Sequence, residues 1–175
     1  MESFKNFITE GRDAPLYHGT SEIAAHHIIR DNCIKAETQH PSMYSFVNDT
    51  RFSRNEYGIS LSRSLETAMA WRDAVVFEID QRKLVQTHKV YPINVGAGWF
   101  NQNGTRSAKF EQLFEERVVG DIKPLDRYLL RIWVLSEELL HRTLEKRPVA
   151  LANITNHPLS YCYTTGKKLK PFIAT

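Results

Sequence analysis

Only two cysteines, Cys33 and Cys162, occur among 175 residues, and they lie too far apart for the paired spacing of a zinc site. A disulfide-stapled scaffold and a zinc-built fold are therefore excluded as readings, and a reduced cytoplasmic setting is the default. Long apolar runs are also missing: none approaches the roughly 20 residues that cross a bilayer, so no membrane partner is expected. The first residues carry Glu2 and Lys5 in place of an apolar secretory core. Charge of one sign is scarce, with 23 Lys and Arg against 20 Asp and Glu. That balance permits contact with nucleic acid or an acidic partner without arguing for it. Repeats and linker-like stretches are absent too. What is there is 42% hydrophobic and 25% charged, ordinary for a globular chain whose length suits one domain.

Residues 1–13 read as a short amphipathic segment, a leader or docking helix, with Phe4, Phe7 and Ile8 on one side and Gly11 as its stop. A single domain spans 14–175. Leu16-Tyr17-His18-Gly19-Thr20 reads as a strand, and Thr20 or Ser21 caps a helix over 21–30 with Ile23, His27 and Ile28 at helical spacing. The adjacent His26 and His27 diverge, which makes them a poor metal pair. Residues 36–56 are polar, with Arg51 and Arg54 among aromatics, the composition of a functional loop.

Tyr57 to Ser64 alternates, placing Ile59 and Leu61 on one face and Ser60 and Ser62 on the other, and Ser64 caps a helix over 65–72. Strands follow at 74–79 and 88–93, with a helical turn from Asp80 to Leu84 between them. Residues 94–105 are wet and glycine-containing, with Trp99 and Phe100 placed either toward an acceptor or against the core edge. Helix is expected over 106–114, strand over 115–122 and 129–135, and a Ser136-capped helix to about Arg147. The tail shows weak strand signals near Ala150 and Tyr161. The pattern is α+β.

Three pieces carry chemistry. A histidine and an exposed glycine backbone at a strand end, beside a helix N-terminus, suit a bound nucleotide; read blandly, His18 packs a strand end. Ser60 and Ser62 line one face of the second strand. Glu115 and Glu116 open a later strand, or are solvated acids paired with Arg117 or Arg106.

In order, "LYHGTS", "ISLSRS", "VVFEID" and "EERVVGDIKPL" resemble the ADP-ribosyltransferase superfamily over about residues 15–135, and in particular an uncharacterised phage-encoded group within it. The resemblance implies two packed, mainly antiparallel sheets with flanking helices and NAD held between them as substrate. It implies a catalytic carboxylate, with Glu116 preferred over Glu115, and a serine that orients it, Ser60 ahead of Ser62. His18 would hydrogen-bond a ribose, the Gly19 backbone would clamp the carboxamide, and Thr20 would support the turn. Tyr57 would stack on nicotinamide. Arg63 is the first candidate for the pyrophosphate, with Arg51 and Arg54 behind it. No metal is called for.

The pattern is a hybrid: His18 follows one branch of the superfamily, whereas Ser60 stands where that branch has tyrosine. The expectation is a mono-ADP-ribosyltransferase modifying a host protein or nucleic acid in the host cytoplasm. An RNA 2′-phosphotransferase-like enzyme and a catalytically inactive nucleotide- or protein-binding module of the same fold are the alternatives. Ile8-Thr9-Glu10 before Gly11 is similar to processing sites of head-packaged phage proteins, which implies delivery from the virion.

Overall fold

The computed structural model describes residues 14–36, 58–70, 75–94 and 114–172. In chain order these form β1 (Leu16–Thr20), α1 (Glu22–Asp31), β2 (Gly58–Ser62), α2 (Leu65–Ala70), β3 (Val75–Ile79), α3 (Gln81–Leu84), β4 (Val90–Asn94), β5 (Phe114–Val119), a 3₁₀ turn (Leu125–Arg127), β6 (Leu129–Val134), α4 (Glu137–Leu144), α5 (Pro148–Thr155) and β7 (Ser160–Cys162). The expected segments at 1–13, 36–56 and 94–113 lie wholly or largely outside the described residues.

Helix starts follow cap chemistry. Ser21 accepts from the Ala24 amide at 3.3 Å, Asp80 from Lys83 at 3.0 Å and Ser136 from Leu139 at 3.3 Å, each satisfying an amide that the first turn leaves without a partner. Asn32 ends α1 in the left-handed conformation, φ 49°, which a short polar side chain tolerates. Two elements depart from expectation. The inward face of α1 is Ala25, Ile28 and Ile29, while Ile23 and His27 face outward. At Ala150 the chain is helical, not extended: α5 starts on Pro148 and buries Ala150, Leu151 and Ile154. An apolar run in which the exposed Val149 is as apolar as the buried Leu151 and Ile154 has no face periodicity to announce it.

All seven described strands belong to one sheet, ordered β4-β5-β2-β1-β3-β6-β7. Every pairing is antiparallel except β6 with β7. The α+β class is as expected, but the strands expected in two sheets are joined edge to edge. The join is thin. β2 pairs with β5, and β1 with β3, over five register positions each, whereas β1 meets β2 only at Tyr17 opposite Ser62.

Leu16, Ile59, Leu61, Phe77, Val118 and Ile132 face the main core, which α1, α4 and α5 cover with Ala25, Leu140, Leu144, Leu151 and Ile154. Each of the larger side chains among them contributes about 1.5–3 kcal/mol. On the other face a smaller cluster gathers Ala68 and Met69 of α2 with Val76, Tyr17 and Trp133. No helix among the described residues is long and apolar enough to cross a membrane.

Candidate active site

The pleat decides what can meet at the thin join. On β5, Glu116 stands opposite Leu61 and Arg117 opposite Ser60. Directly opposed residues share a face and neighbours in sequence do not. Glu116 therefore lies on the Leu61 face and Arg117 on the Ser60 face. On β1, His18 lies opposite Phe77, which puts it on the same face as Leu61 and Glu116. His18 and Glu116 are thus two strands apart on one side of the sheet, about 10 Å at ordinary strand spacing.

His18 occupies the gap where β1 and β2 part. Its Nδ1 lies 3.2 Å from the Ser60 carbonyl oxygen. A carbonyl only accepts, so Nδ1 carries the proton and, in the neutral ring, Nε2 is an acceptor suited to a hydroxyl donor. Gly19 and Thr20 continue the strand opposite Val76 and Val75, and Ser21, not Thr20, caps α1.

Glu116 is 2% exposed. A carboxylate so buried needs a partner, and Arg63, immediately after β2, supplies it. Arg63 Nε donates to Glu116 Oε1 at 2.7 Å and Nη2 donates to the same oxygen. Arg63, expected on a pyrophosphate, is found on the acid instead. Ser60, expected to orient Glu116, lies on the opposite face, where its hydroxyl accepts from Arg117 Nη1 at 3.2 Å; the alternating pleat prevents the contact. Ser62 is engaged in the turn out of β2, donating to the Ser64 carbonyl at 3.0 Å and accepting from the Ser64 amide at 3.1 Å. Glu115 stands in β5 opposite Ser62 and Ile93. Tyr57, Arg51, Arg54, Trp99 and Phe100 lie outside the described residues.

Arg117 is the residue whose importance sequence reasoning missed. It is 3% exposed and also donates from Nη2 to the Gly58 carbonyl at 3.1 Å. Its signal was the isolated glycine opening a strand, which marks a close approach. A Cβ on Gly58 would stand 2.6 Å from Arg117 Nε.

Among the described residues no group of three or more His, Cys, Asp or Glu is placed to hold a metal ion. The arrangement brings an imidazole, a carboxylate and the guanidinium bound to it to one side of a parted sheet. No family model and no curated protein matches the chain.

Proposed function

We propose that the protein is an NAD-dependent mono-ADP-ribosyltransferase. The observation that carries this reading is the shared face: His18 and the buried Glu116 flank the parting of β1 and β2 with only Leu61 between them. In the reaction, the bond between the ribose C1 and the nicotinamide nitrogen breaks. Its electron pair leaves with neutral nicotinamide, and an oxocarbenium ion develops on the sugar. The Glu116 carboxylate stabilises that charge and takes the proton of the acceptor as the acceptor's lone pair closes on C1. His18 Nε2 accepts from a ribose hydroxyl, and the Gly19 backbone, at the end of β1, clamps the carboxamide. The proposal includes a phage effector acting on a protein or nucleic-acid acceptor in the host cytoplasm.

The test is incubation of the full chain with labelled NAD and host lysate, with nicotinamide release followed alongside. Glu116→Gln is expected to lower release and transfer by 10²-fold or more, the usual scale for a positioned acid–base or charge-stabilising group. Failure of the wild type to bind NAD overturns the reading. A nucleotide-binding module without chemistry is the second reading, favoured by how completely Glu116 is enclosed; NAD binding with no nicotinamide release would establish it.

A further inference from the structure

We infer that Arg63 is the positioning residue of this site, holding one oxygen of Glu116 so that the other is presented to substrate. The inference rests on the ADP-ribosyl-transfer reading and assigns to Arg63 the task expected of Ser60. Both guanidinium donors that reach Glu116 converge on Oε1, and Oε2 makes no hydrogen bond among the described residues. One carboxylate oxygen is therefore fixed and the other is left for chemistry. The side chains differ in access: that of Arg63 is 22% exposed and that of Glu116 3%.

The backbone carrying Arg63 is braced on both sides. Ser62 and Ser64 exchange two hydrogen bonds across it. Ser64 then caps α2, its hydroxyl accepting from the Thr67 amide at 3.2 Å and its carbonyl from Ala68 at 3.0 Å. The run Ser62-Arg63-Ser64 is thus a rigid mount for one guanidinium. Fixed geometry of this kind is what places a catalytic group within reach of its transition state. Two of the five guanidinium donors, on Nε and Nη2, are committed to Glu116, so that edge of the fork is not the one a pyrophosphate would take.

The experiment measures NAD cleavage by nicotinamide release and ADP-ribose affinity by calorimetry, on the full chain and on Arg63→Gln and Arg63→Lys. ADP-ribose keeps the pyrophosphate and lacks nicotinamide, so it separates the two roles. For Arg63→Gln the expected result is kcat lowered by about 10²-fold, with KM for NAD and Kd for ADP-ribose within about twofold. Arg63→Lys restores charge without the planar fork and recovers only part of the loss. If Arg63→Gln fails to fold, the lysine variant carries the same test, a kcat loss with KM unchanged. A tenfold rise in KM and in the ADP-ribose Kd with kcat intact makes Arg63 a phosphate ligand and overturns the inference. Unchanged kinetics in both variants also overturn it, while leaving the enzyme reading standing. A wild-type chain that releases no nicotinamide removes both.

Discussion

Replacing Gly58 by alanine adds a single methyl group at a position with no room for it. The new Cβ would sit 2.6 Å from Arg117 Nε, 3.0 Å from its Cζ and 2.8 Å from the Val118 carbonyl oxygen. The carbonyl is backbone in the neighbouring strand and cannot swing aside. Arg117 is pinned by its bonds to the Gly58 carbonyl and the Ser60 hydroxyl, and it is almost wholly enclosed. Overpacking of this kind costs about 1–3 kcal/mol. Weakening bonds from a buried charged donor adds about 1.5–3 kcal/mol where one is lost. Reduced freedom of the unfolded chain returns about 0.4–1 kcal/mol. The expected net loss is about 2–4 kcal/mol, a fall in Tm of roughly 5–15 °C for a chain of this size. Urea unfolding followed by circular dichroism reads it as a lower midpoint at unchanged slope. Arg117→Ala removes both side-chain contacts and leaves only the Val118 carbonyl, so the penalty of Gly58→Ala should shrink in that background. A loss below about 0.5 kcal/mol in the wild-type background, or full additivity of the two changes, would refute the reasoning.

The Ser160 hydroxyl is buried and finds no hydrogen-bond partner among the described residues, so Ser160→Ala should raise stability by about 1 kcal/mol; a destabilised variant in the same urea assay would contradict this. Burial holds the His157 imidazole below its ordinary 6.5, and its Nδ1 accepts from the Leu159 amide at 3.3 Å. The folded state thus favours the neutral ring. That contribution is complete above the unfolded value and is lost as pH falls from about 6.5 toward the folded value. The urea midpoint should drop over that window, with less of a drop in His157→Asn; a His157 resonance titrating at or above 6.5 by NMR would show the sign to be wrong.

Much of the scaffold was legible because it is written locally. Ser21, Asp80 and Ser136 mark helix starts by residue type, and the alternation of Ile59 and Leu61 with Ser60 and Ser62 states which face of β2 is buried. What escaped depends on partners distant in the chain. Ala25, not Ile23, is buried in the main core, because the position that packs there is set by the elements laid over α1 and not by which residue is most apolar. α5 itself is too uniformly apolar to show a period. Whether the strands form one sheet or two turns on a single cross-strand pair, Tyr17 with Ser62, which no local pattern reports. The site shows the same division. His18 and Glu116 could be nominated by their neighbours in sequence. That Glu116 faces Arg63 and turns its back on Ser60 follows only from the register of β2 against β5, which local alternation does not reveal.

The solitary rung between Tyr17 and Ser62 has a mechanical consequence. A broad sheet ordinarily behaves as one stiff plate, because parting any two neighbours means breaking a whole ladder at once. Here the plate has a perforation: β4, β5 and β2 form one leaf, and β1, β3, β6 and β7 the other. In backbone and polar contacts the seam holds one bridge pair and the His18–Ser60 contact, about 1–4 kcal/mol at the usual net worth of such bonds. Every other rung in both leaves is spared, so what resists a gape at that seam is side-chain packing and not a backbone ladder: Leu16, Phe77 and Ile132 of one leaf share a core with Ile59, Leu61 and Val118 of the other.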